Sequence, residues 1–350
     1  MLRLAALAGS LGVLSACASL RYYAHVTHGE GALLLHRRPI ARVLRDPSTT
    51  PALAARLELA RQARRFASQR LGLPDNRSYT YYVDLHRPYV VWNVFATPRF
   101  SVQAVTHCFP FAGCVAYRGW FSEAKAEADA ARLRAQGDDV WVGGVPAYST
   151  LGWFADPVLS SMLRWDDDEL AGTIFHELAH QLIYVKGDTA FNESFASFVQ
   201  AEGLREWRAA RGLPPGDDKA QAMADGFTRL VLDLRERLKA LYATGADAEA
   251  MAAGKQREIE AFRQRYARWR DAHWPGDRRY DAWVAGPINN ARLLPFGLYD
   301  QWTPAFALLF RQGGRQWPAF YASVRALAKL GPAARDARLA ELVTPDAAPG

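Results

Sequence analysis

The segment Asp166-Asp-Asp-Glu-Leu-Ala-Gly-Thr-Ile-Phe-His-Glu-Leu-Ala-His180, followed by Phe191-Asn-Glu-Ser-Phe-Ala-Ser-Phe198, constrains this chain more than any other feature. Acidic residues from Asp166 to Glu169 suit the positive end of a helix and can cap its free N–H groups. Leu170, Ala171, Ile174, Phe175, Leu178 and Leu182 line one broad apolar face, and a neighbouring stripe carries Thr173, His176, Glu177, His180 and Tyr184. Gly187-Asp-Thr is a turn signal: Gly187 ends the first helix, and Asp188 or Thr189 caps the next. His180 precedes Gly187 by seven residues and Glu193 follows it by six. In an antiparallel pair those positions return to nearly the same height. Phe191, Phe195 and Phe198 share one apolar stripe, which leaves Glu193 free to face the first helix.

Histidines four apart lie one above the other on a helix and can grip a single metal. Catalytic zinc takes three protein ligands and keeps its fourth position for water. His176, His180 and Glu193 form such a set for Zn²⁺. Glu177 stands one position along, beside the metal, where it can act as general base on water. This is the His-Glu-x-x-His arrangement of zinc peptidases. Two blander readings stay open. The histidines and glutamates can satisfy one another or face solvent, or zinc can merely clamp two helices in a non-hydrolytic scaffold. A purely structural site has no need of Glu177 and would be closed by a fourth protein ligand.

Around this segment the pattern is α+β. Positions Arg21 to Leu73 read mostly as helix, Tyr79 to Val105 as strands of an antiparallel sheet broken at Pro88 and Pro98, and Ser122 to Gln136 as an Ala-rich helix. Asp139 to Val142 is a short buried strand ending in Gly143-Gly144. Asp156 to about Ala272 reads almost entirely as helix, interrupted at Gly212 to Gly216, and helices return after Trp302. The expected division is a leader over 1–16, a helical region over 17–75 and a catalytic region over 76–350, the last two as one domain or two. With 350 residues, 50% hydrophobic and 23% charged, the chain is no disordered, collagen-like or coiled-coil sequence.

The chain opens Met-Leu-Arg, then runs apolar from Leu4 to Leu14 and reaches Leu14-Ser-Ala-Cys17. That is the layout of a secretory signal peptide. The site resembles the bacterial lipoprotein box, which implies cleavage before Cys17 and its lipidation; an ordinary signal peptide with a chance cysteine is the alternative. Ala18, where an aspartate would signal retention in the inner membrane, implies an outer-membrane lipoprotein facing the periplasm and tethered through its lipid anchor. In that compartment the +7 charge reflects solvated Arg-rich helices or anionic lipid, with no nucleic-acid partner. It is also oxidising, so Cys108 and Cys114 are expected to form a local disulfide in preference to free thiols.

Asn192-Glu193-Ser-Phe-Ala196 resembles the Asn-Glu-x-x-Ala element of gluzincin metallopeptidases, in which that Glu is the third zinc ligand. The chain is more closely similar to a family of bacterial putative aminopeptidases, many of them lipoproteins. The stretches that carry the likeness are Val91 to Pro98, Ala112 to Gly119, Ala147 to Pro157, Ile174 to Ala196 and Ile288 to Ala291. The resemblance implies a mostly helical, zincin-like metallopeptidase with a small antiparallel or mixed sheet, acting on peptide substrates from their N-termini. An endopeptidase of envelope protein quality control is the alternative within the same class. Gly143 to Thr150 falls where gluzincin aminopeptidases place a substrate-binding strand, yet it lacks the glutamate that holds the substrate amine. Asp156 or Asp188 could take that role, although Asp188 also reads as a plain helix cap or a partner of a ligating histidine. Tyr299, placed after the zinc helices, is the candidate for stabilising the oxyanion. His25, His28, His36 and His107 have no ligand spacing and read as structural or solvated.

Overall fold

The computed structural model describes residues 21–109, 113–296 and 301–343; Cys17, the leader over 1–16 and Tyr299 lie outside them. A helix over 21–36 (α1) leads into β1 (Arg38–Pro39) and a short helix, α2 (Ile40–Val43). Next comes α3 (Pro51–Gln69), with Pro51 in its first turn and the Thr50 side chain accepting from Leu53 N–H. The strands are β2 (Tyr81–Val83), β3 (Val91–Thr97), β4 (His107–Phe109), β5 (Gly113–Val115) and β6 (Tyr117–Trp120), then β7 (Asp139–Val145) after helix α4 (Glu123–Ala135), and β8 (Val158–Leu159). The helices that follow are α5 (Asp167–Leu182), α6 (Thr189–Ala210), α7 (Asp218–Tyr242), α8 (Ala248–His273), α9 (Asp281–Ala285), α10 (Thr303–Gln312), α11 (Trp317–Ala328) and α12 (Pro332–Val343). The fold is α+β and mostly helical.

The aromatic stretch from Tyr79 to Val105 does not build one sheet. Its first strand, β2, joins β1 antiparallel and β8 parallel, while β3 sits between β6 and β7 in an antiparallel sheet. Pro88 lies in the connection between β2 and β3, and the chain changes sheets there. The third pairing is the hairpin β4–β5, in which Cys108 and Cys114 are opposite each other and joined by a disulfide. The stretch from Asp156 to Asp166 is not helical either: it holds β8 and a single 3-10 turn at Met162–Arg164.

The largest core surrounds α5 and α6, with α3 on one side and α10 to α12 on the other. Phe191, Phe195 and Phe198 are all buried, packed against Phe306, Phe310 and Phe320. Burying a phenylalanine fully contributes about 1.5–3 kcal/mol, so this stripe fixes which face α6 turns inward. A separate core joins α7 to α8, and a third packs α4 on the β6–β3–β7 sheet.

Candidate active site

Local chemistry sets the ends of the two helices. Asp166 caps α5, its Oδ1 accepting from Glu169 N–H at 2.7 Å. Arg56 of α3 donates to the carbonyls of Leu163 (3.2 Å) and Trp165 (2.6 Å) and pairs with Asp167, which locks the start of the helix. The exit needs a tight turn, which Gly187 supplies at φ +79°. Asp188 caps α6 by accepting from Phe191 N–H at 3.0 Å, and its other oxygen pairs with the buried Arg335 of α12 at 2.6 Å. Asn192 is fully buried and clasps the linker from both sides. Its Nδ2 donates to Val185 O and its Oδ1 accepts from Val185 N–H, each at 2.8 Å.

Held this way, α5 and α6 bring three donor atoms together. His176 Nε2 lies 3.1 Å from His180 Nε2 and 3.3 Å from Glu193 Oε2, and His180 Nε2 lies 3.6 Å from Glu193 Oε2. Among the described residues this is the one cluster of His, Cys, Asp and Glu with ligand atoms this close. His176 Nδ1 donates to Gln200 Oε1 at 3.1 Å, which turns Nε2 towards the cluster; there it either donates to Glu193 or, once deprotonated, presents a lone pair to a cation. Gln200 was not among the expected site residues. Its signal was its position seven residues after Glu193, two turns along the same stripe of α6.

Electrostatics favours a cation here. Burial would raise the Glu193 carboxyl, but its hydrogen bonds with His176 and His180 outweigh that and hold it down at about 2. Burial works against charging His176, yet Glu193, Glu177 and Gln200 together push its titration up. Zinc fits the residues present. Three ligands about 2.1 Å from a tetrahedral ion are separated by about 3.4 Å, and the observed edges of 3.1, 3.3 and 3.6 Å bracket that value. Two imidazoles and a carboxylate are also a donor set that zinc accepts. His180 is buried, with Nδ1 unpartnered among the described residues and Nε2 turned to the cluster.

The cluster opens into a cavity of about 460 Å³, lined also by Glu177, Tyr117, Tyr148 and Tyr184. Glu177 therefore shares a solvent-reachable space with the three donors. Tyr117, on β6, is the phenol that the sequence left unassigned. Burial and then the charges of Glu193 and Glu177 keep its proton firmly in place. Strand β7 has β3 as its only strand partner among the described residues, and Val145 at its end lines the same cavity. Asp156 and Asp188 do not line it. Asp156 is buried and occupied by Thr150, Ser149 and Gln181, and Asp188 by its cap and Arg335. His25 is structural: its Nε2 accepts from Phe121 N–H at 3.1 Å.

No curated protein and no solved structure matches this chain. A family described as "Putative aminopeptidase" matches residues 21–339, a span that takes in every element from α1 to most of α12 and the whole of the cavity. With that span matched, the chain belongs to the putative aminopeptidase family.

Proposed function

We propose that this protein is a zinc-dependent, gluzincin-type aminopeptidase of zincin-like fold. In this reading it is exported, lipid-anchored at Cys17 to the outer membrane, and hydrolyses peptides in the periplasm from their free N-termini. The observation that carries the reading is the donor triangle of His176, His180 and Glu193, open to a cavity that also contains Glu177. His176, His180 and Glu193 would hold the ion. Zinc, when bound, supplies Lewis acidity that polarises a scissile carbonyl and makes water acidic near neutral pH.

The remaining work falls to the chain's own groups. The Glu177 carboxylate takes a proton from water in the cavity and returns it to the departing amine, which leaves as a neutral group. Tyr117 keeps its phenol proton and can donate it, as a hydrogen bond, to oxygen charge developing near Glu177 and Glu193. Val145 at the end of β7, Val91 of β3 and Tyr117 and Gly119 of β6 form a wall of the cavity against which an extended peptide can lie. Family membership supports peptide hydrolysis. Against a zinc clamp between two helices stand the size of the cavity and the lack of a fourth ligand among the described residues.

Glu177→Gln tests the assignment. Turnover of a peptide substrate should fall about a hundredfold or more, while metal analysis of the purified protein still finds one zinc per chain. Undiminished turnover would remove Glu177 as the base; zinc retained in a wild-type protein that cuts no peptide would favour the clamp.

A further inference from the structure

A second cavity, of about 550 Å³, adjoins the first and shares Val26, Tyr148, Ser149 and Leu151 with it. One side is α1, through Glu30 and Leu34; the other is the loop after β7, through Trp153 and Phe154. Both sides are firmly built. Tyr22 donates to Gly119 O at 3.1 Å and Arg37 to Ala155 O at 3.0 Å, fastening α1 near both ends. Between them Gly29 meets the Phe121 ring so closely that an added Cβ would lie 2.3 Å from it. In the loop, Leu151 adopts φ +56°, a left-handed conformation unfavourable for a leucine. The loop is held in that shape by Asp156, which accepts from Thr150 Oγ1 at 2.6 Å and from Ser149 Oγ at 3.3 Å.

Within these mostly apolar walls Glu30 is the one carboxylate. Its Oε2 is buried and has no partner among the described residues. A buried carboxylate oxygen without a donor is costly, and a cationic ligand group removes that cost. If the chain cuts peptides from the N-terminus, as proposed above and on which this inference rests, a substrate brings one such group: its α-ammonium. Asp156 and Asp188 are already committed elsewhere, which leaves Glu30 to receive it.

We infer that the second cavity is the subsite for the free N-terminus of the substrate, with the Glu30 carboxylate turning its unpartnered oxygen to accept from the α-ammonium and Leu34, Trp153 and Phe154 covering an apolar first side chain. The register follows from covalent geometry. Were the terminal residue itself the one cut, its nitrogen would sit about 2.5 Å from the reacting carbonyl carbon, and its carboxylate partner would have to line the catalytic cavity. Glu30 lines only the adjoining one. Each further residue adds about 3.5 Å of reach, so the fragment released is a dipeptide or a slightly longer piece, not a single amino acid.

The test uses the zinc-loaded protein and its Glu30→Gln variant, with one octapeptide in free and N-acetylated forms. Fragments are read by mass spectrometry and peptide binding by calorimetry on the turnover-deficient Glu177→Gln background. Wild type should release fragments of two or more residues, and acetylation should weaken both turnover and binding about tenfold or more, the scale of a lost charge-assisted hydrogen bond. Glu30→Gln should bring the free-to-acetylated ratio close to one. Release of single residues, or a ratio that Glu30→Gln leaves unchanged, overturns the inference. If wild type cuts neither form, the peptidase reading fails, and calorimetry decides the subsite separately: a free-amine preference that depends on Glu30 upholds it, and no such preference overturns it. Folding of the variant is checked by melting against pH. Burial and then Asp156 push the Glu30 carboxyl up to about 7 from 4.5. A carboxyl raised on folding weakens the fold as pH climbs through that window, so wild type loses stability there and Glu30→Gln, if folded, does not.

Discussion

Two long antiparallel helix pairs stand in the same chain and are sealed in opposite ways. Between α7 and α8 the seam is Phe227, Val231, Leu234 and Leu238 against Ile259, Phe262 and Tyr266, apolar throughout apart from the Tyr266 hydroxyl. Polar groups act at its margins: Tyr266 donates to Asp281 at 2.6 Å, and Lys255 pairs with Asp139 at the start of β7. Between α5 and α6 the outer faces are just as apolar, but the seam carries His176, His180 and Glu193. The first pair is complete with hydrophobic burial alone. The second converges lone pairs and a negative charge at one point, an arrangement that gains from a bound cation and needs strong support from the surrounding core.

Deleting one aromatic from each pair should separate the two most strongly. Phe195→Ala and Phe262→Ala both remove fully buried rings and should each cost about 3–5 kcal/mol. Only Phe195→Ala, which loosens the helix bearing Glu193, should also weaken zinc affinity in a competition titration with a chromophoric chelator. Equal affinities in the two variants would mean that the site does not depend on the α6 core.

Zinc itself gives the next contrast. At a hundredfold to a thousandfold excess over its dissociation constant it should add about 2.7–4.1 kcal/mol of stability. Hydrogen exchange should show that protection concentrated in amides of α5 and α6 and nearly absent from α7 and α8. Protection spread evenly over both pairs would erase the distinction. A smaller effect is expected at Asn192. Asn192→Ala leaves the half-buried Val185 N–H unpartnered, while its C=O keeps the Asp188 N–H at 3.2 Å, and should cost about 1 kcal/mol, with exchange accelerated first in the linker 183–188. An unchanged melting temperature would show that the clasp is dispensable.

Much of the site was legible in the sequence because it is local. The i, i+4 histidines, the Gly187 turn and the phenylalanine stripe on α6 are short-range patterns, and helical periodicity converts them directly into faces. Asn192 and Gln200 lay on the same helix but were not recognised as parts of the site. Asn192 was read only as a letter of a motif, whereas its contacts are with linker backbone seven residues away in sequence. The strand-rich stretch was recognised as strand, but its split between two sheets was not, since the pairing of β2 with β8 joins residues about 75 apart.

Spacing within a few turns of chain is enough to specify the helix pair, its caps, the α+β character and the donors that face one another. What surrounds them came from packing. It set α1 against β6 as a wall of the cavity, brought Tyr117 beside the glutamates, used up Asp156 and Asp188, and left the Glu30 oxygen without a donor. Most of those outcomes depend on contacts between segments far apart in sequence, such as Tyr22 with Gly119 and Asp188 with Arg335, where burial and hydrogen bonding are settled by packing that no local pattern encodes.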